Sequence, residues 1–156
     1  MRHKIHYYLI LFLVALEITS CKAFKNPSPQ SIHDRYTIDF KDLDNLNAVI
    51  ELAQSKYKLV FMDVSTSWSE PCRIMSKEIY TDKKVADFFN KNFVNYRIDA
   101  EQGEGPDLLL KYGIKNYPTF LLLNRRGQAI LKGNGVMSAQ DLIEFGQNGL
   151  ELSPTM

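Results

Sequence analysis

The chain has 156 residues, 45% of them hydrophobic and 24% charged, which suits one ordinary globular domain with a short appendage and leaves no comfortable room for a second. Its formal net charge is only +1 and no basic stripe runs along it, so it lacks the footprint that phosphate neutralisation demands of a nucleic-acid partner. His3, His6, His33, Cys21 and Cys72 are too few and too scattered for the four ligands of a structural zinc site, and neither metal nor cofactor is expected.

The N-terminus reads as a targeting segment. Arg2, His3 and Lys4 form a basic start, Tyr7 to Leu16 is wholly apolar, and Thr19 and Ser20 precede Cys21. A membrane-crossing helix needs about 20 apolar residues, and Glu17 interrupts well before that, so a cleaved signal over residues 1–20 is favoured over an uncleaved anchor. Ile18-Thr19-Ser20-Cys21 is similar to a bacterial lipobox, which implies acylation of Cys21 and attachment to a membrane surface. Removal of Arg2, Lys4 and Glu17 with the signal leaves the remainder formally neutral. Residues 21–35, with Asn26-Pro27-Ser28-Pro29 and no hydrophobic period, suit a tether, and the domain is expected over 36–150 with a tail at 151–156.

From Tyr36 the pattern alternates between strand and helix. Tyr36 to Phe40 predicts a short first strand, and Leu43, Leu46, Val49, Ile50 and Ala53 recur at helical spacing. Leu59-Val60-Phe61-Met62 is a continuous apolar run suited to a strand covered on both faces. A helix is expected after Trp68, and another from Lys83 to Asn90, capped by Thr81 or Asp82, with Val85, Phe88 and Phe89 inward. Phe93 to Asp99 predicts the next strand. Gly105-Pro106 opens and Gly113 closes a helix. Thr119 to Leu123 and Gln128 to Lys132 predict a hairpin through Asn124 to Gly127, and Ser138 with Asp141 opens a last helix carrying Leu142, Ile143 and Phe145. The alternation predicts an α/β domain with a mixed central sheet flanked by helices.

Asp63-Val64-Ser65-Thr66-Ser67-Trp68-Ser69-Glu70-Pro71-Cys72 resembles the thioredoxin active-site segment, in which a strand ends in a buried acid and a Trp precedes a Cys-x-x-Cys turn that opens a helix. Ile98-Asp99, Lys111-Tyr112-Gly113-Ile114 and Tyr117-Pro118-Thr119 follow in the family's order, so the resemblance spans about Leu59 to Asn148. It implies a thioredoxin fold with an extra helix, Lys83 to Asn90, after the active-site helix, as in secreted bacterial thioredoxin-like proteins. In that family the first thiolate attacks a disulfide and the second thiol resolves the mixed disulfide.

Here Ser69 stands in the attacking position. A hydroxyl forms no disulfide, no histidine base follows His33, and serine is a favoured helix N-cap. Cys72 occupies the resolving position, as either a single working thiol or a small inert core residue, and Glu70 opposes its ionisation. Asp63 matches the family's buried acid, which assists the resolving thiol; the alternative is a strand-end aspartate bonded to local backbone. Pro118 matches the family's cis-proline, against an ordinary trans proline, and Trp68 either flanks the site or fills core. Asn95 replaces a lysine that tunes the site's charge in the family.

Two functions follow from this reading. One is a degenerate thiol-disulfide oxidoreductase acting through Cys72, anchored to the bacterial cell envelope by lipid on Cys21 at the periplasmic or outer-membrane side. The other is a redox-silent module that holds extended segments in a groove beside Trp68, Tyr117 and Pro118. Either way the expected partners are envelope proteins offering thiols, disulfides or extended segments.

Overall fold

In the computed structural model the described residues are 37–153. The signal, Cys21 and the tether, together with Tyr36 and residues 154–156, lie outside them.

The chain runs α1 (Leu46–Ser55), β1 (Leu59–Ser65), α2 (Glu70–Ile74), a π-helical turn (Met75–Ile79), α3 (Lys83–Asn92), β2 (Phe93–Asp99), α4 (Gly105–Tyr112), β3 (Thr119–Leu123), β4 (Ala129–Asn134) and α5 (Ala139–Leu152). The sheet order is β2-β1-β3-β4, with β1 parallel to β2, and β1–β3 and β3–β4 antiparallel. This is the mixed sheet of the thioredoxin fold, with α3 as the extra helix.

Strand side chains alternate between faces, and the two cores follow that period. Val60, Met62 and Val64 of β1 face Leu46, Val49 and Ala53 of α1 and Leu108 of α4. Leu59 and Phe61 face Met75, Tyr80, Phe89 of α3 and Leu142 of α5. Because β1 is covered on both sides it is apolar at nearly every position, and Asp63 is its one charged residue. Phe61 packs its ring against Phe89 at 4.5 Å and Phe120 at 6.0 Å, so the extra helix is fastened to the sheet centre by aromatic contacts.

The caps follow local chemistry. Of the two candidates before α3, Asp82 accepts from the Lys84 and Val85 amides, while the Thr81 hydroxyl donates back to the Lys77 carbonyl. Ser138 and Asp141 complete a reciprocal capping box on α5. Gly113 ends α4 at φ 61°, a left-handed conformation that glycine adopts without steric cost.

The expected strand Tyr36 to Phe40 is a correction: within the described residues it is reduced to one parallel bridge between Phe40 and Asn95. Its donors are spent elsewhere. The Ile38 amide donates to the Tyr80 carbonyl and the Asp39 amide to Asn90 Oδ1, tying the segment to helix ends in place of a ladder. Helix α3 runs on to Asn92, β4 begins at Ala129 in place of Gln128, and α5 takes residues 151 and 152 out of the expected tail.

Candidate functional site

β1 delivers the chain to the sheet's end, and Thr66, Ser67 and Trp68 carry it over to α2. Ser69 is extended (φ −75°, ψ 116°) and caps the helix, its hydroxyl accepting from the Cys72 amide at 3.4 Å. Pro71 falls in the first turn, where its missing N–H breaks no hydrogen bond. Glu70 pairs with Arg73, so its charge is compensated within the turn.

Cys72 is free and only 5% exposed, like Ser69 beside it. Its carbonyl accepts from the Ser76 hydroxyl at 2.9 Å. Trp68 is 63% exposed, which removes the reading of it as core filler. Its ring meets Tyr117 edge-on at 6.1 Å, and its indole N–H donates to Glu101 at 3.0 Å. The Tyr117–Pro118 bond is cis, and the loop is held where the Pro118 carbonyl accepts from the Gly135 amide.

A groove of about 390 Å³ opens here, with Pro118 outside its lining, which includes Trp68, Ser69, Pro71, Asn116 and Tyr117. Cys72 is not among them. It lines a separate cavity of about 290 Å³, with Arg73, Lys77 and Arg97. The two positions of the Ser-x-x-Cys motif are thus neighbours through the cap bond yet line different spaces.

Asp63 lies 1% exposed on the α2 side of the sheet. It does not bond local backbone: its Oδ2 accepts from Arg97 Nε at 2.9 Å, directly across the β1–β2 register. Burial pushes its carboxyl above the usual carboxylate range, against the opposing pull of the guanidinium. Arg97 in turn lies over the Phe40 ring at 4.2 Å and the Tyr80 ring at 5.0 Å. The Tyr80 hydroxyl, buried in the same cluster, is held well above its ordinary pKa by burial first and then by the Asp63 charge.

Asn95, at the family's lysine position, is buried and donates to Asn90 Oδ1 at 3.0 Å, away from the acid. The positive charge expected to be missing is supplied by Arg97, two residues on and therefore on the same strand face. Sequence reading missed it, although the strand's period of two was the available signal. Glu104 was also missed: its Oε1 accepts both the Leu46 amide at 2.7 Å and the Tyr96 hydroxyl at 3.0 Å, joining α1, β2 and the start of α4. No group of three or more His, Cys, Asp or Glu suited to a metal occurs among the described residues.

Comparisons with known proteins agree with this geometry. The family model Thioredox_DsbH, described as "Protein of unknown function, DUF255", matches residues 32–116. The solution structure of a candidate disulphide-isomerase from Bacteroides thetaiotaomicron is 36% identical, covering 76% of this chain and 98% of that one, with a TM-score of 0.67. The oxidised C-terminal domain of Neisseria meningitidis DsbD is 22% identical, covering 70% of this chain and 97% of that domain at a TM-score of 0.59, and shares the fold. The Yersinia pestis thiol:disulfide interchange protein DsbD is 29% identical over 110 residues, 69% of this chain. The chain spans only 18% of that protein's length. The chain shares the fold of the DsbD C-terminal domain and belongs to the thioredoxin-like DsbH/DUF255 family.

Proposed function

We propose that this is an envelope protein of the thiol-disulfide oxidoreductase class that has divided recognition from chemistry. The groove at Trp68, Tyr117 and cis-Pro118 takes an extended segment of a partner protein, and the residue meeting that segment is Ser69, which forms no covalent bond with it. Chemistry is left to Cys72 as a single thiol. The observation that carries this reading is the placement of Ser69 on the groove and of Cys72 on a separate cavity. A mixed disulfide on Cys72 then has no resolving thiol among the described residues and persists until an external thiol releases it.

The test is alkylation of native protein, read at the Cys72-containing peptide. A native rate within about a hundredfold of the rate in denaturant supports the single-thiol reading, since reaction requires access as well as thiolate character. The redox-silent reading is favoured by the 5% exposure of Cys72. Its signature is a cysteine that reacts only after global unfolding, with groove binding intact.

A further inference from the structure

The cavity beside Cys72 has a chemical character of its own. Arg73 and Lys77 approach it from α2 and the following turn, Arg97 from β2, against one acid, Asp99. Asp99 is itself engaged, accepting from the Glu101 amide at 2.9 Å. Arg73 is shared with Glu70 and Arg97 with Asp63, while Lys77 forms no ion pair among the described residues. One polar atom in the lining lacks a partner. Thr66, 4% exposed, keeps its buried hydroxyl unbonded. A buried hydroxyl left unbonded is costly unless a bound group satisfies it.

We propose that this cavity is a binding site for a small anionic disulfide, one carrying carboxylates, and that it presents that disulfide to Cys72. The proposal rests on the single-thiol reading above. The cations hold the carboxylates, and the Thr66 hydroxyl supplies a donor that the fold leaves open. At 290 Å³ the space suits a small molecule. In the exchange, the Cys72 thiol first loses its proton to solvent. Its thiolate then attacks one sulfur of R–S–S–R, the Cys72–S–S–R bond forms as the S–S bond of the ligand breaks, and R–S⁻ leaves. Cys72 is oxidised to the mixed disulfide and the departing sulfur is reduced to a thiolate; no further oxidant is needed.

The experiment uses the full chain and three small aromatic or aliphatic disulfides: one bearing carboxylates (5,5′-dithiobis-2-nitrobenzoate), one neutral (dithiodipyridine) and one cationic (cystamine). Adduct formation is measured at the Cys72-containing peptide, and each rate is divided by that of the unfolded chain with the same reagent. The expected normalised rate for the dicarboxylate exceeds that for the cation by about tenfold, as charge steering gives, and the preference falls with added salt. It falls further in Lys77→Gln and Arg73→Gln, both on exposed faces of the helix. Equal normalised rates for all three reagents, or a preference that survives both substitutions, overturn the anionic site while leaving the single thiol standing. A cysteine that no reagent reaches before unfolding overturns the single-thiol reading itself, and the site with it.

Discussion

At position 69 a hydroxyl stands where the thioredoxin motif that this segment resembles carries a thiol. Ser69 retains what the fold needs, a side-chain acceptor for the Cys72 amide, and gives up the sulfur that disulfide exchange needs. Asp63 is the counterpart, a charge-bearing residue kept inside the protein by Arg97. Its folded-state pKa is raised by burial, so the folded chain binds the acid's proton more tightly than the unfolded chain does. That preference stabilises the fold most below the ordinary value of 3.8 and is lost as pH rises through the raised one. Asp63→Asn removes the titration. The stability of the native chain relative to Asp63→Asn is expected to fall as pH rises from about 4, by up to about 1.4 kcal/mol per pH unit until the raised value is passed. Denaturant unfolding of both chains across that range measures it, and a constant difference contradicts the raised pKa. Ser69, Cys72 and Asp63 were legible from the sequence because each sits at a fixed offset from Trp68 on one strand-turn-helix unit. Arg97, 34 residues from Asp63, was not, because only strand pairing brings the two opposite each other.

Between elements, what the sequence showed was local signal. Asp82, Ser138 and Gly113 mark helix ends by chemistry within a few residues, and the Asn124 side chain accepts from the Arg126 and Gln128 amides to shape the hairpin. The expected first strand failed for the opposite reason. The partners that decide it, Tyr80, Asn90 and Asn95, lie on other elements, and no periodicity in Tyr36 to Phe40 reports on them. The π-helical turn at Met75–Ile79 was likewise invisible, since one extra residue in a helical turn leaves no compositional mark. Packing between α5 and the sheet gives a test at this scale. A Cβ on Gly149 would come within 2.0 Å of Leu122 Cδ1, and Leu122 is fully buried. Gly149→Ala is therefore expected to cost about 1–3 kcal/mol through overpacking, despite alanine's better helix propensity. Thermal unfolding decides; an unchanged or raised midpoint means that α5 sits farther from β3 than described.

For the whole molecule, the fold brings two faces to one helix end: a groove with exposed aromatics and Ser69, and a basic cavity with Cys72. Attachment to a membrane is proposed from residues outside the described ones. Among the described residues no helix is long and apolar enough to cross a membrane. If lipid on Cys21 is the anchor, Cys21→Ser is expected to move the processed chain from the membrane fraction to the soluble one, as read by fractionation and immunoblot. A processed Cys21→Ser chain that stays with the membranes contradicts the anchor.

The central claim is that the fold and groove of a disulfide reductase are intact and that the sulfur missing at position 69 is the chemical deficit. It is tested by measuring turnover of a model protein disulfide, with thiol reductant resupplied, for the native chain, Ser69→Cys, and Ser69→Cys combined with Cys72→Ala. A thiol at position 69 would sit on the groove at the N-terminus of α2, adjacent to Cys72. The expected result is sustained turnover by Ser69→Cys alone, with a disulfide forming between positions 69 and 72. A native chain that already matches Ser69→Cys, or a Ser69→Cys chain that forms no such disulfide, contradicts it.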